Sequence, residues 1–298
     1  MEYNFQIGNK KIFVEVLGPY NAPELLYIHG GPGAGSYDFK VQQADALSKF
    51  FKLIMVDQRG VLRSQHLEES DSLSPDDIIN DFEVIRAQLG IKSWAILGHS
   101  FGGYLALLNN HEHSEAISKV ILECPTFDFG LSACSLIKRA ADEFREVGDY
   151  LKADECENAV LSYKDAKEMW NKMGLLNDLG ERRNNIYVFH KEKNFFENII
   201  KNSGLPQEVW EGSYLHLEKL IEEGSIFNSV LPLLREISCP ALMINGKYDY
   251  VTSQEQTDAF KSQVANANIV EFGQSGHFPR FEEAELYSQT VIDFILEK

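Results

Sequence analysis

The sequence predicts an α/β protein in which a mostly parallel sheet has helices on both faces. Apolar runs of strand length alternate with helical segments over residues 1–126 and again over residues 236–298. Such an alternation is typical of parallel sheets, whose strands are buried on both faces. Residues 127–235 differ, because they carry charged, amphipathic helical segments and no clear strand. We therefore expect a core domain made of residues 1–126 and 236–298, with residues 127–235 inserted as a helical cap.

Apolar runs and turn residues mark the individual elements of the core. YNFQIG and KIFVEVLG, joined at GNKK, predict a hairpin, while ELLYIH, KLIMV, SWAILGH and SKVILE have the pattern of buried strands. DFKVQQADALSKFF and FGGYLALLNNH have helical spacing. SPDDIINDFEVIRAQLG is the best-marked helix, because Ser74 can cap its start, Pro75 suits its first turn and Gly90 can end it. After the cap, the alternation returns in PALMINGKYD, SQEQTDAFKSQ, ANIVEFGQSGH and AELYSQTVIDFILEK.

Charge and composition argue against several classes of partner. The 298 residues carry a formal net charge of −17, and such a surface repels phosphate backbones, so we expect no nucleic-acid partner. No secretory signal is visible, and no apolar run reaches the ~18 residues of a membrane span, so we expect no membrane partner. The four cysteines have no C-x-x-C spacing and are typical of reduced thiols, which indicates a cytoplasmic protein.

Chemistry is first suggested by a serine on a glycine-rich corner. Gly98 and Gly102 bracket Ser100 in a G-x-S-x-G pattern that follows a predicted strand and opens a predicted helix. This is the setting of a nucleophile elbow, in which the strained corner leaves no room for side chains at the two glycines. The alternative is an ordinary helix N-cap, which serine also favours.

A serine hydroxyl needs a base and an acid before it becomes a nucleophile. His277 lies on a glycine-bounded loop after the last predicted strand, and Asp249 follows the strand before it, so we expect these two to complete a catalytic triad with Ser100. Asp249 in a simple turn and His277 as a loop hydrogen bonder are the alternatives. Glu123 and Asp128, which follow the fourth core strand, are rival acids.

The developing oxyanion needs two backbone N–H donors. Phe101, directly after the serine, should supply one. The loop HGGPG should supply the other, which we assign to Gly31, with Gly30 as the alternative. We interpret Asp57 and Arg59 of DQRG as an internal pair that holds the loops.

Five motifs, HGGPG, DQRG, GHSFGG, GKYD and SGH, occur in this order, and together they resemble the α/β-hydrolase superfamily, specifically its prolyl iminopeptidase-like group. The resemblance implies an α/β-hydrolase fold with a mostly parallel eight-stranded sheet and a helical cap. It also implies release of N-terminal residues, often proline, from short peptides without a cofactor. Two departures are Val61 and Leu62 after DQRG, and Phe101 where many members carry Trp.

Members of that group that bind a free amino terminus resemble one another in using cap glutamates. Asn184 stands where this resemblance leads us to expect one of them. The candidates to replace it are Glu181, Glu197, Glu211 and Glu218. Several cap aromatics are candidates for an apolar pocket, although helical spacing favours the cap's own core for most of them: Trp170, Phe189, Phe195, Phe196, Trp210 and Tyr214.

We expect a serine hydrolase that acts on a small molecule or short peptide, most of all an aminopeptidase similar to proline iminopeptidases. An esterase, lactonase or amidase is the alternative, and a binding protein that retains the fold is a third. HEH at residues 111–113 does not predict a metal site, because residues two apart do not share a helix face. We expect no metal and no organic cofactor.

Overall fold

A computed structural model describes residues 1–190 and 195–297, without the side chains of Phe195 and Phe196. Its centre is an eight-stranded sheet in the order β1-β2-β4-β3-β5-β6-β7-β8. The strands are β1 Glu2–Ile7, β2 Lys10–Leu17, β3 Glu24–Ile28, β4 Lys52–Val56, β5 Trp94–His99, β6 Ile117–Glu123, β7 Ala241–Gly246 and β8 Ala267–Phe272. The first hairpin is antiparallel, β2 also runs antiparallel to β4, and every other pair is parallel. The predicted α/β-hydrolase fold and its mostly parallel eight-stranded sheet are confirmed.

Helices cover both faces of this sheet. In the core they are α1 Tyr37–Phe39, α2 Asp45–Leu47, α3 Pro75–Gln88, α4 Phe101–His113, α11 Gln254–Gln263, α12 Pro279–Glu282 and α13 Ala284–Leu296. Alternating side chains of β3 show the two layers: Leu26 and Ile28 pack in the same apolar cluster as Phe82 of α3, and Leu25 and Tyr27 pack in the opposite cluster. The site therefore rests on a sheet that is buried on both sides.

The start of α3 is capped as its sequence predicts. The hydroxyl of Ser74 accepts a hydrogen bond from the N–H of Asp77 at 3.2 Å, and the Asp77 carboxylate accepts one from the N–H of Ser74 at 2.8 Å. Such reciprocal bonds satisfy two N–H groups that the helix itself cannot use. The segment DFKVQQADALSKFF is helical as well, but a π-helical turn at Lys40–Ala44 separates α1 from α2.

Residues 127–235, called the cap below, lie between β6 and β7. The part of the cap that the structure describes contains helices and no strand: α5 Phe129–Glu146, α6 Tyr150–Ser162, α7 Ala166–Asn171, a 3₁₀ stretch Lys172–Ile186, α8 Phe195–Asn202, α9 Gln207–Glu211, α10 Tyr214–Glu223, and 3₁₀ turns at Ser225–Phe227 and Leu231–Glu236. Its apolar core joins α5 to α6 and α7 through Ile137, Cys156 and Met169. Its role as a separate domain stays a prediction. Within the described residues, no helix has the length and apolar character that crossing a membrane requires.

Candidate active site

The backbone at Ser100 has a conformation that L residues rarely adopt, with φ 55° and ψ −119°. It joins the end of β5 to the start of α4. A Cβ atom on Gly98 would lie 2.3 Å from the carbonyl oxygen of Gly102, and one on Gly102 would lie 2.1 Å from the carbonyl oxygen of Ile28. The predicted reason for both glycines therefore holds: the strand, the corner and the helix are too close for side chains there.

Backbone hydrogen bonds hold this corner in place. The N–H of Ser100 donates to the carbonyl of Glu123 on β6 at 3.0 Å, and the carbonyl of Ser100 accepts from Gly103 at 2.8 Å and from Thr126 at 3.0 Å. The Ser100 hydroxyl itself makes no hydrogen bond with the described residues. It lines a cavity of about 620 Å³ between the sheet edge and the cap.

His277 lines the same cavity, and its imidazole is held by Asp249. Nδ1 of His277 lies 2.9 Å from a carboxylate oxygen of Asp249, whose carboxylate also accepts the N–H groups of Val251 and Thr252 at 2.9 and 3.1 Å. Burial alone would raise the pKa of Asp249, but the charge and hydrogen bond of His277 and these donors outweigh it, so the pKa is lowered. Asp249 is therefore an ionised acceptor that fixes the ring's tautomer.

The backbone of His277 is held from two sides. Its N–H donates to the carbonyl of Tyr187 in the cap at 2.7 Å, and its carbonyl lies 3.0 Å from Nε2 of His99. The rings of His99 and His277 lie 4.7 Å apart. Burial, and then the nearby charge of Arg280, lower the pKa of His99 far below its usual value, so His99 is neutral and donates from Nε2. No hydrogen bond joins the imidazole to the Ser100 hydroxyl in this arrangement, and such bonds often tighten only when substrate binds.

The two predicted oxyanion donors lie in the same cavity. Gly31 has φ 113° and lines the cavity with Phe101, and among the described residues neither N–H has an acceptor. Gly30 is buried against the corner, where a Cβ atom would lie 2.8 Å from Cβ of Ser100. The assignment of Gly31, with Gly30 as alternative, stays a prediction.

His29 and Gln58 tie the HGGPG loop to the DQRG loop. Nε2 of His29 accepts the N–H of Gln58 at 3.1 Å, so Nδ1 carries the proton and donates to the carbonyl of Gly30 at 2.9 Å. The amide of Gln58 donates back to the carbonyl of His29 at 3.0 Å. These bonds fix the position of the HGGPG backbone next to Ser100.

Asp57 and Arg59 do not pair with each other, and that prediction was wrong. Asp57 accepts a hydrogen bond from Nε of Arg63 at 2.7 Å, and Arg59 bonds Asp81 on α3. The buried Asp57 also accepts from the N–H of Ser36 at 2.9 Å and so faces the HGGPG side, while Arg59 extends toward α3. The loops are still held by ion pairs, but by two separate ones.

The rival acids have other partners. Glu123 bonds the guanidinium of Arg280 at 3.0 Å and the hydroxyl of Tyr287 at 2.9 Å, all of them buried in the core. Asp128 caps α5 by accepting the N–H of Leu131 at 3.0 Å. Neither bonds His277.

Of the substrate-binding candidates, Glu181, Asn184, Glu197 and Trp210 line the cavity. Glu218 is exposed and is not among the described residues of the wall. Glu211 is also exposed, accepts a hydrogen bond from the Gln207 amide at 2.6 Å, and is not among the described residues of the wall. It is the last residue of α9, and its side chain lies at the surface of the cap.

The cap aromatics divide among several surroundings. Trp170 lines the cavity and packs against Phe129, with ring centres 5.2 Å apart. Phe189 stacks on Tyr248 at 4.3 Å, and Tyr214 is exposed. The side chains of Phe195 and Phe196 lie outside the described residues.

Across the described residues, one group of potential metal ligands is compact enough to be considered: Cys124, Asp249 and His277, whose ligand atoms lie within 4.8 Å of one another. Two of these three are already bonded to each other, and burial raises the pKa of the Cys124 thiol well above its usual value. The donor set therefore suits the histidine–carboxylate pair better than a metal, since metals bind the thiolate form.

On its other side, the cap lies against the HGGPG and DQRG loops, and a Cβ atom on Gly33 would lie 3.1 Å from the carbonyl oxygen of Ser213. The hydroxyl of Ser213 accepts the N–H of Leu62 at 3.0 Å, and Nδ1 of His216 donates to the carbonyl of Arg59 at 2.8 Å. Burial lowers the pKa of His216 to about 3, so this contact is made by the neutral ring.

Sequence reasoning missed Arg280 and Glu282, which follow the histidine loop. Arg280 is fully buried and lines the cavity beside Asp38, to which it is also bonded. Glu282 bonds the cap and the histidine loop together. Their closeness to His277 in sequence was the available signal, but it does not reveal their partners.

Comparison with known proteins agrees with the fold and the motifs. A proline iminopeptidase of Saccharolobus solfataricus is 25% identical over 286 residues, which cover 91% of this chain and 84% of that protein. A proline iminopeptidase of Xylella fastidiosa is 31% identical over 114 residues, so the match spans 38% of this chain and only 36% of that relative. A crystal structure of a proline iminopeptidase-related protein from Thermus thermophilus superposes with a TM-score of 0.70 at 19% identity, over 99% of this chain and 96% of that one.

The sequence profile of the alpha/beta hydrolase fold matches residues 23–284, which takes in the serine corner, the cap and the histidine loop. Together with the sheet order described above, this match shows that the chain belongs to the α/β-hydrolase fold family and is similar to its proline iminopeptidases.

Proposed function

We propose that the protein is a serine hydrolase whose triad is Ser100, His277 and Asp249. The observation that carries this proposal is the hydrogen bond that Nδ1 of His277 donates to Asp249, since His277 and Ser100 line the same cavity. Because Asp249 occupies Nδ1, the imidazole accepts a proton from Ser100 only at Nε2. That is the polarity a general base needs.

The reaction follows from this arrangement. The Ser100 oxygen attacks the substrate carbonyl while its proton moves to Nε2 of His277, and the N–H groups of Phe101 and Gly31 stabilise the oxyanion. The carbonyl reforms, the bond to the leaving group breaks, and His277 returns the proton to that group. Water then attacks the acyl-enzyme and loses a proton to His277; as the ester bond to Ser100 breaks, His277 returns that proton to the serine oxygen, which releases the acid and free Ser100.

For the substrate, we propose a short peptide with a free amino terminus and an apolar first residue. Glu181 and Glu197 bring two carboxylates to the cap wall of the cavity, where they suit an ammonium group. Phe129, Trp170 and Met173 line the same cavity and suit an apolar side chain. The proline iminopeptidases among the relatives point the same way.

An esterase is the second candidate, and the apolar part of the wall favours it. Phe101, Phe129, Leu136 and Val251 line the cavity with Ser100 and need no charge on the ligand. Among the described residues of the wall, the carboxylates of Glu181 and Glu197 are the feature that favours the peptidase over the esterase.

The test is to label the protein with a fluorophosphonate and then to assay it on two substrate classes. We expect labelling that disappears in Ser100→Ala, and release of naphthylamine from proline- or alanine-naphthylamide. Ester turnover without naphthylamine release would replace the peptidase by the esterase. Failure to label Ser100 in the folded wild-type protein would end the hydrolase proposal.

A further inference from the structure

One carboxylate joins the cap to the histidine loop. Oε1 of Glu282, at the end of α12, accepts the N–H groups of Phe189 at 2.6 Å and His190 at 3.0 Å, both in the cap. Its other oxygen, Oε2, accepts the N–H of Gly276 at 2.6 Å. A single side chain thus satisfies three backbone donors from two parts of the chain that are far apart in sequence.

The cap segment that Glu282 holds also touches the triad directly. The carbonyl of Tyr187 accepts the N–H of His277 at 2.7 Å, and a Cβ atom on Gly276 would lie 2.5 Å from that carbonyl. Phe189 stacks on Tyr248, the residue before Asp249. The cap backbone from 187 to 190 therefore lies against both loops that carry the proposed acid and base.

Helix α12, which carries Glu282, is fixed in the core; the bonds that Glu282 makes to the cap and to the histidine loop are called the bridge below. Arg280, two residues before Glu282, pairs with Glu123 at 3.0 Å and also bonds Asp38. The carbonyl of Arg280 accepts the Gln43 amide at 2.6 Å. With α12 held by these buried contacts, the carboxylate of Glu282 is a fixed point to which both the cap and the histidine loop bond.

We propose that Glu282 is a positioning residue, which holds His277 at a fixed position relative to the cap so that its imidazole reaches Ser100. This inference rests on the proposed function. Tyr187 and Asn184 line the cavity, so a substrate that presses on this wall acts on the segment that holds the N–H of His277. Glu282 does not touch the reacting atoms, and its effect passes through the two backbones it bonds.

The sharpest variant is Glu282→Gln. A glutamine has nearly the same shape and fills the same space, but its nitrogen donates and cannot accept. The variant therefore loses the hydrogen bonds on one side of the carboxylate, either those from the cap or the one from Gly276. Glu283→Gln is the matched control. Glu283 accepts the N–H of Gln274 at 2.9 Å and the hydroxyl of Ser275 at 2.7 Å, so it steadies the same loop without bonding the described residues of the cap.

The first measurement is steady-state kinetics on a p-nitrophenyl ester. We expect Glu282→Gln to lower kcat roughly tenfold with KM within about twofold of wild type, because misplacing a base slows the chemical step more than binding. Glu283→Gln should keep kcat within about twofold. Equal losses in the two variants, or an unchanged kcat in Glu282→Gln, would overturn the proposal.

The second measurement needs no activity. Hydrogen exchange at the His277 N–H reports the contact with Tyr187, which Glu282 does not itself make. We expect this proton to exchange faster in Glu282→Gln and at the wild-type rate in Glu283→Gln. Faster exchange in a protein whose Ser100 cannot be labelled would keep the bridge and reject the hydrolase, whereas unchanged exchange would reject the bridge alone.

Discussion

The backbone of Ser100 stays at φ 55° because the surrounding chain leaves it no room to relax. Such a conformation costs about 1–3 kcal/mol and persists only where neighbouring contacts impose it. Here the contacts are hydrogen bonds to Glu123 and Thr126 and the close passage of Gly102 over Ile28. The same contacts place Ser100 and Phe101 in the wall of one cavity.

Gly102→Ala tests this dependence. The added Cβ would lie 2.1 Å from a backbone oxygen of β3, so α4 has to move away from the sheet. We expect a loss of about 1–3 kcal/mol in the free energy of unfolding, measured with urea, together with loss of fluorophosphonate labelling. Gly174→Ala is the control, because Gly174 lies in open space without a positive φ. Wild-type stability and labelling in Gly102→Ala would contradict the steric argument.

At the scale of elements, the cap supplies a wall of mixed character. The 3₁₀ stretch Lys172–Ile186 brings Glu181 and Asn184 to the cavity, and α8 brings Glu197. Both side chains are exposed, so we expect each to make only a modest contact with the ammonium group of the proposed substrate. The apolar side chains of α5 and α7 lie beside them. If the proposed aminopeptidase function holds, we expect selectivity for a free amino terminus to depend on the two carboxylates together.

Glu181→Gln combined with Glu197→Gln should separate the two candidate activities. We expect KM for alanine-naphthylamide to rise roughly tenfold, because two weak charge contacts are removed, while KM for an uncharged ester stays near wild type. Glu211→Gln, which changes an acid outside the cavity wall, should alter neither. A rise of KM for the ester as well would show that the two side chains shape the cavity rather than attract charge.

At the scale of the whole molecule, buried ion pairs connect the loops around the sheet edge. Asp57 is buried and paired with Arg63, and Arg280 is buried between Glu123 and Asp38. Removing one partner of a buried ion pair lowers the free energy of unfolding strongly, because the other charge stays buried without a counter-charge. The stability of these loops is therefore linked to pH.

Asp57→Asn tests that linkage. Burial opposes ionisation, but Arg63 and the Ser36 donors lower the pKa of Asp57 below its usual 3.8, so the carboxylate stabilises the fold above that pH and the contribution is lost as the pH falls through the lowered value. We expect Asp57→Asn to lose about 3 kcal/mol at pH 7, and its stability below about pH 5 to depend less on pH than that of wild type, both measured by urea unfolding. The exposed Asp154→Asn should behave as wild type. Parallel pH profiles for wild type and Asp57→Asn would contradict the assignment.

Much of the fold follows from patterns that are local in sequence. Apolar runs predict β3 to β7, and the box at Ser74 predicts the start of α3, because each signal lies within one element. The serine corner is also local, since the glycines that it needs are two residues away.

The partners of single side chains are not predictable in this way. Asp57 pairs with Arg63 rather than Arg59, and Glu282 bonds a segment far away in the chain. Such choices depend on the direction in which each side chain leaves a loop, which no periodicity reports. The same holds for Glu211, which composition alone does not separate from Glu181.

The cap is attached to the core at two places, through Ser213 and His216 on one side and through the 187–190 backbone on the other, and this limits how it can open. Swinging the whole cap outward would break the contacts to Leu62 and Arg59 and also those to Glu282 and His277. Opening the cap as one unit would therefore require all of these contacts to break together.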